Sequence, residues 1–175
     1  MSNVLNVPEV VSNFNAYKNG NMLIGVANSI TLPQFDPETE TISGAGVLGS
    51  YDTAIPGHYG SLGQEIKFRT LDEDIFSIMN PMEPVELTFR AAEQMTVKET
   101  GALDFRSMRI VERGRLKSFT PGTLELGKQM DASVTLELLY ILIETDGEER
   151  LAYDKINDVF RINGVDVLEK VHQYI

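Results

Sequence analysis

The 175-residue chain has no cysteine, no tryptophan and only two histidines, His58 and His172. Without cysteine there are no disulfides, no thiolate metal sites and no thiol nucleophile, a composition that suits assembly in a reducing cytoplasm. Two isolated histidines, one in a glycine-rich stretch and one near the end of the chain, offer little for acid–base catalysis. H-E-x-x-H, G-x-S-x-G and P-loop patterns do not occur. No apolar run approaches the roughly 18–20 residues of a membrane span. Met1 to Pro8 has neither a basic region nor an apolar core, so no cleaved leader is expected. Positive charge is scarce too: 15 Lys and Arg stand against 26 Asp and Glu, a formal net charge of −11. Duplex readers need a basic face to neutralise phosphates. This chain as a whole would be repelled by DNA.

Hydrophobic residues make up 42% of the chain, enough to bury a core in one domain spanning residues 1–175. The most distinctive stretch is residues 25–50. Within it, Gly44-Ala45-Gly46-Val47-Leu48-Gly49 fits the dinucleotide spacing G-x-G-x-x-G. That fingerprint works only where it opens a helix, whose N-terminus holds the pyrophosphate. Here Ser50, Tyr51, Asp52, Thr53, Ala54, Ile55, Pro56 and Gly57 follow, and no helix starts cleanly. The run therefore reads as a long glycine-rich loop, and no cofactor is expected.

The rest of the pattern is extended. Asn19-Gly20, Asp146-Gly147 and Asn163-Gly164 are tight hairpin signals. Ser29 to Leu32 reads as a short strand stopped by Pro33. Residues 38–69 read as one long hairpin, with 64–69 returning against 38–42 and a mobile tip over 44–60. Thr70-x-x-Glu73 has the form of a capping box, and Leu71, Ile75, Ile78 and Met79 share a helical face up to Asn80-Pro81. The acidic Asp72, Glu73 and Asp74 suit the first turn of that helix. Val85, Leu87, Phe89 and Ala91 alternate with polar residues, and 103–119 extends with Gly114 as a bulge. Residues 138–143 are apolar at every position, which predicts cover on both faces. Asp166-x-x-Glu169 caps a short closing helix. With no β-α-β alternation, the class is mainly β: an antiparallel sandwich or partial barrel with one flanking α-helix.

One basic concentration stands out in the acidic chain: Arg106, Arg109, Arg113, Arg115 and Lys117. Phosphate binding and a plain solvated face both account for it. A basic strand edge meeting an acidic patch on a neighbouring copy accounts for it better.

Taken in order, Asn-Gly (19–20), Gly-Val-Ala-x-Ser-Ile-Thr-Leu-Pro (25–33), Gly-Ala-Gly (44–46), Gly-Arg-x-Lys (114–117), Asp-Gly (146–147), Asp-x-Ile-Asn (154–157) and Asn-Gly-Val-Asp-x-Leu-Glu (163–169) resemble the major tail tube proteins of contractile-tailed, P2-like phages. The resemblance runs from about residue 10 to residue 170. Residues 82–84 and 118–123 depart from it, in places that read as turns. It implies a β-sandwich with a flanking helix, six copies closing into a ring whose strands join as a continuous β-barrel, and rings stacking into a hollow tube. It further implies that the sheath drives the tube through an envelope, and that DNA passes down the bore in transit and non-specifically. R-type bacteriocins, which carry no DNA, use related tubes. The implied partners are the subunit itself, the tail sheath, the baseplate or tube initiator and the tape-measure protein, with no membrane anchoring. The implied place is the virion tail or a bacteriocin particle, after assembly in the host cytoplasm.

On that basis the chain is expected to be structural, not an enzyme. Stacking is assigned to the loop at 44–60, with Gly44, Gly46, Gly49, Tyr51, Pro56, Gly57, His58 and Tyr59. The N-terminal arm at 1–13 and the C-terminal segment at 158–175 are assigned to help. Glu38, Glu40, Glu65, Asp104 and Glu137, on polar faces of predicted strands, are the bore candidates. A lining of carboxylates would keep phosphates from adhering, within a screening length of about 8 Å. Arg106, Arg109, Arg113, Arg115 and Lys117 are the candidates for contacts between subunits. The alternative function is a carbohydrate- or surface-binding β-sandwich module, which the lack of tryptophan platforms disfavours.

Overall fold

A computed structural model describes residues 6–175. The antiparallel, mainly β expectation holds. Strands β1 (Asn6–Lys18), β2 (Asn21–Met22), β3 (Pro37–Ser43), β4 (Ser50–Tyr59) and β5 (Gly63–Phe68) precede a short helix, α1 (Glu73–Ile78). Then come β6 (Val85–Val97), β7 (Leu103–Thr120), β8 (Ala132–Thr145), β9 (Glu148–Asp154), β10 (Val159–Ile162), β11 (Val165–Asp166) and α2 (Glu169–His172). Nine strands form one sheet in the order β11-β10-β9-β8-β7-β6-β1-β2, with β5 added on β8, and β3 and β4 pair only with each other. The order is open at both ends, so no barrel closes within one subunit.

β8 is where the sheet forks. One of its edges runs along β7 for its whole length. The other is shared: residues 132–137 pair with β5, and residues 140–145 pair with β9. A bulge at Gly114 sits beside this fork, as its sequence position suggested. Glycine is required there, because a Cβ would lie 2.4 Å from the carbonyl oxygen of Glu137. The core gathers on one face of the branched sheet. Leu87 and Phe89 of β6, Ile66 and Phe68 of β5, and Leu136, Leu138 and Ile141 of β8 are buried there with Ile75 and Ile78 of α1. Period-2 alternation in β5 and β6 thus has its predicted meaning. Residues 138–143 are buried fully only at Leu138 and Ile141; the others are half-covered, so the second face is shielded rather than sealed.

Several expected elements come out differently. The partner of β3 is β4, not residues 64–69, so most of the expected loop at 44–60 is a strand. Tyr51 and Thr53, good strand formers, stand opposite Ile42 and Glu40. Pro56, which read as a loop signal, lies in a bulge between the Pro37–Tyr59 and Thr39–Ala54 pairs, where no ladder N–H is needed. The turn proper is 44–49, with positive φ at Gly44, Gly46 and Gly49. The cap of α1 is Asp72, not Thr70: its carboxylate accepts from the Ile75 amide at 3.4 Å. Ser29 to Leu32 makes only an isolated bridge, Thr31 with Glu65. The described part of the expected N-terminal arm, 6–13, is strand β1 on β6, and 1–5 lie outside the described residues. Pro8 fits because, among the described residues, nothing pairs with the outer edge of β1 there and a register shift follows it. The closing helix shrinks to four residues, and Asp166 accepts from the Leu168 amide instead of capping Glu169.

Candidate assembly surfaces

The β3–β4 hairpin stands apart from the sheet. Nearly every residue along it is exposed, from Glu38 and Glu40 on one strand to Tyr51 and Ile55 on the other. Leu48 at its tip is wholly exposed. Its base is different. Phe35, Tyr59, Tyr153 and Phe160 meet edge to face, with ring centroids 5.2–6.1 Å apart. Such pairs add roughly 0.5–1.5 kcal/mol each beyond the area they bury. The Tyr153 hydroxyl donates to the Gly57 carbonyl at 2.9 Å, and the Lys155 ammonium donates to that of Gly60 at 2.7 Å. The space beside Gly57 is filled by Leu168. The hairpin is thus a bolted base carrying an uncovered blade. Of the expected stacking residues, Gly44, Gly46, Gly49 and Tyr51 sit in the blade, and Pro56, Gly57, His58 and Tyr59 in the base.

The glycine run that fits G-x-G-x-x-G is the blade's turn, and strand β4 follows it. The helical context a pyrophosphate needs is therefore missing at that turn.

The basic concentration lies on β7, which is an interior strand between β6 and β8, not an edge. Its arginines face carboxylates directly across the ladder. Arg106 makes a two-point contact with Glu93 at 2.7 and 2.9 Å; Arg109 meets Glu144 at 2.9 Å and Arg113 meets Glu86 at 3.0 Å. Arg113 also lies over the Tyr140 ring, 5.1 Å from its centroid. Lys117 reaches Glu137 at 3.0 Å and Ser61 at 2.7 Å. Among the described residues Arg115 alone of the five lacks a carboxylate partner. The charges a neighbour would have met are mostly spent inside the subunit. The cross-strand hydrogen bond from Arg106 holds the Glu93 carboxyl below its ordinary range. Arg161, unremarked in the sequence, does the same to Glu149 from β10.

The bore candidates come from three parts of the subunit. Glu38 is exposed at the foot of the β3–β4 hairpin and Glu40 on its blade, and Asp104 is exposed near the far end of the β6–β7 hairpin. Glu65 and Glu137 lie diagonally across the β5–β8 ladder. Glu137 is not a free acid. Burial raises its pKa, but donors from Ser61, Lys117 and the Leu62 amide outweigh that and bring it below the ordinary range.

Over residues 8–175 the chain matches the family described as phage tail tube protein FII. The chain belongs to that tail tube family. It is also 27% identical, over 165 residues, to the tail tube protein of Escherichia phage P2, covering 94% of this chain and 95% of that protein. As a phage tail tube protein it is a structural subunit, so the surfaces that matter are those another protein would cover. No group of His, Asp and Glu able to hold a metal ion occurs among the described residues, nor does a helix long and apolar enough to cross a membrane.

Sequence reasoning missed Tyr153, Lys155, Leu168 and Phe160 as the fixings of the hairpin. Their only signal was composition, since their partners lie some 90 to 110 positions away along the chain. It also missed the two carboxylates around His172.

Proposed function

We propose that six copies of this subunit close into a ring and that rings stack into the hollow inner tube of a contractile tail, a non-enzymatic role. The observation that carries the stacking claim is the β3–β4 blade. It is two-stranded, solvated on both faces and apolar at Leu48 and Tyr51. A two-stranded hairpin in water is marginal at best. Docked on the next ring, it gains the cover it lacks in the free subunit. The family and the P2 relative support the tube itself.

Ring closure uses the open ends of the sheet. The outer edge of β1 beyond β2 presents Val7, Val10 and Val11, all exposed, and a free sheet edge is a template for another chain. Arg115 is the basic residue best placed to meet an acidic patch on a neighbour, because the other four already have partners. Glu38, Glu40, Glu65 and Asp104 are the carboxylates proposed for the bore; Glu137 serves the fold first. The partners in this reading are the sheath, the baseplate or tube initiator, the tape-measure protein and DNA in passage, in a virion tail assembled in the host cytoplasm.

The register supplies a clean test. Thr39 stands opposite Ala54, so residues 40–53 can be removed and the two joined through an Asn-Gly turn, which deletes the blade and keeps the base. The shortened protein is expected to stay folded and to lose long tubes in negative-stain microscopy. Tubes of normal length would refute the stacking role.

A further inference from the structure

His172 of α2 sits between two carboxylates from two other parts of the chain. Its Nδ1 is 3.1 Å from Asp166 of β11, and its Nε2 is 3.1 Å from Asp158 in the turn between β9 and β10. A neutral imidazole has one N–H and can donate to only one of them; its other nitrogen would turn a lone pair on a carboxylate. The imidazolium donates to both. The geometry therefore selects the charged ring.

Three segments converge at this ring, and what they hold matters for the hairpin. Asp166 also accepts from the Leu168 amide at 2.9 Å, and the His172 amide donates to the Leu168 carbonyl at 2.9 Å. Leu168 is buried against Gly57 at the hairpin base. α2 has only four residues, too few to hold its shape alone, and buries none of its own side chains. Val171, Tyr174 and Ile175 around it are exposed. The ring is thus a principal tie between this segment and the body.

We propose that Asp158, His172 and Asp166 form a proton-operated clamp that seats the closing segment 168–175 and, through Leu168, steadies the base of the β3–β4 hairpin. The other charged group lining the same small cavity is Arg161 of β10, which Glu149 engages at two points. Glu169 and Lys170 are the charges on the ring's own helix. The hydrogen bond from Asp166 chiefly, and that from Asp158 after it, raise the His172 pKa above its ordinary value. A histidine whose folded pKa is raised stabilises fully below its unfolded value, near 6.5, and loses that contribution as pH climbs through the folded value. The clamp is closed in mildly acidic solution and opens on the alkaline side.

The clamp belongs to the single subunit, so its test is independent of whether rings form. Histidine spectra of the full-length protein should show two rings, to be assigned with a His58→Gln variant. His172 is expected to titrate above about 6.5, and Asp158→Asn to bring the midpoint back toward that value. Asp158→Asn spares the Leu168 cap, so it separates the clamp from local folding; Asp166→Ala removes both that cap and the carboxylate and lowers the midpoint further. Amide exchange at His172 and Gln173, corrected for its intrinsic pH dependence, is expected to quicken several-fold across the same titration, and that step is expected to vanish in His172→Gln. A midpoint at or below 6.5 in the parent, or amide protection unchanged through the titration, would overturn the proposal.

Discussion

Two hairpins of this subunit, β3–β4 and β6–β7, are the same kind of element in opposite surroundings. β6 and β7 lie inside a nine-stranded sheet, and one face of β6 puts Val85, Leu87 and Phe89 into the core. β3 and β4 have no third strand and no covered face along the blade. A strand's stability is supplied by what packs on it, so the first hairpin is complete in one chain and the second is not. The contrast locates folding and assembly in different residues of one polypeptide.

The largest effect should come from the buried side. Leu138 is fully buried at the fork of the sheet. Leu138→Ala is expected to lower the stability of the free subunit by about 2–5 kcal/mol in denaturant titration. Leu48→Ser at the blade's tip is expected to stay within about 0.5 kcal/mol, as surface changes do, while impairing tube formation. A blade mutation as costly to the free subunit as the core one would break the comparison.

Next in size is a flaw within the core. Glu112 of β7 is fully buried between Leu87 and Ile141, and neither of its carboxyl oxygens has a hydrogen-bond partner among the described residues. Burial pushes its pKa from 4.5 to about 8. Its contribution is least harmful below about pH 4.5, where folded and unfolded chains both bind the proton. As pH rises toward 8 the unfolded chain ionises and the folded one does not, so stability falls by about 1.4 kcal/mol per unit. At pH 7 the cost is on the order of 3 kcal/mol. Glu112→Leu is expected to raise the melting temperature at pH 7–8 and to flatten its decline between pH 5 and 8. An unchanged pH profile would show that Glu112 has a partner at neutral pH.

Much of the closed side was legible in the sequence and little of the open side was. Alternation at Val85, Leu87 and Phe89, and the Asn-Gly and Asp-Gly turns, are local signals, and each became the element it announced. The bulge at Gly114 was legible for the same reason. The register of the blade was not. Gly44 to Gly49 and Pro56 broke the pattern, and residues 64–69 alternated so cleanly that they looked like the returning strand; only the tertiary competition for β8 takes them elsewhere. The arginines of β7 misled differently. Their spacing was visible, but Glu86, Glu93 and Glu144 become their partners only once the ladder register is known. The same holds for His172, whose two carboxylates are six and fourteen residues away, on β11 and on the β9–β10 turn.

The smallest expected effect tests where the two regimes meet. Tyr153 belongs to the main sheet and to the aromatic cluster, yet its hydroxyl serves the hairpin by donating to Gly57. Tyr153→Phe keeps the ring packing and removes one neutral hydrogen bond, worth about 1 kcal/mol. Because the acceptor is on β4, the loss should fall on the hairpin and not on the sheet. Faster amide exchange around residues 57–60, with unchanged protection in β6, β7 and β8, is the expected pattern in hydrogen-exchange measurements. Equal loosening of both would mean that base and core form one cooperative unit, and that the blade alone is separable from the fold.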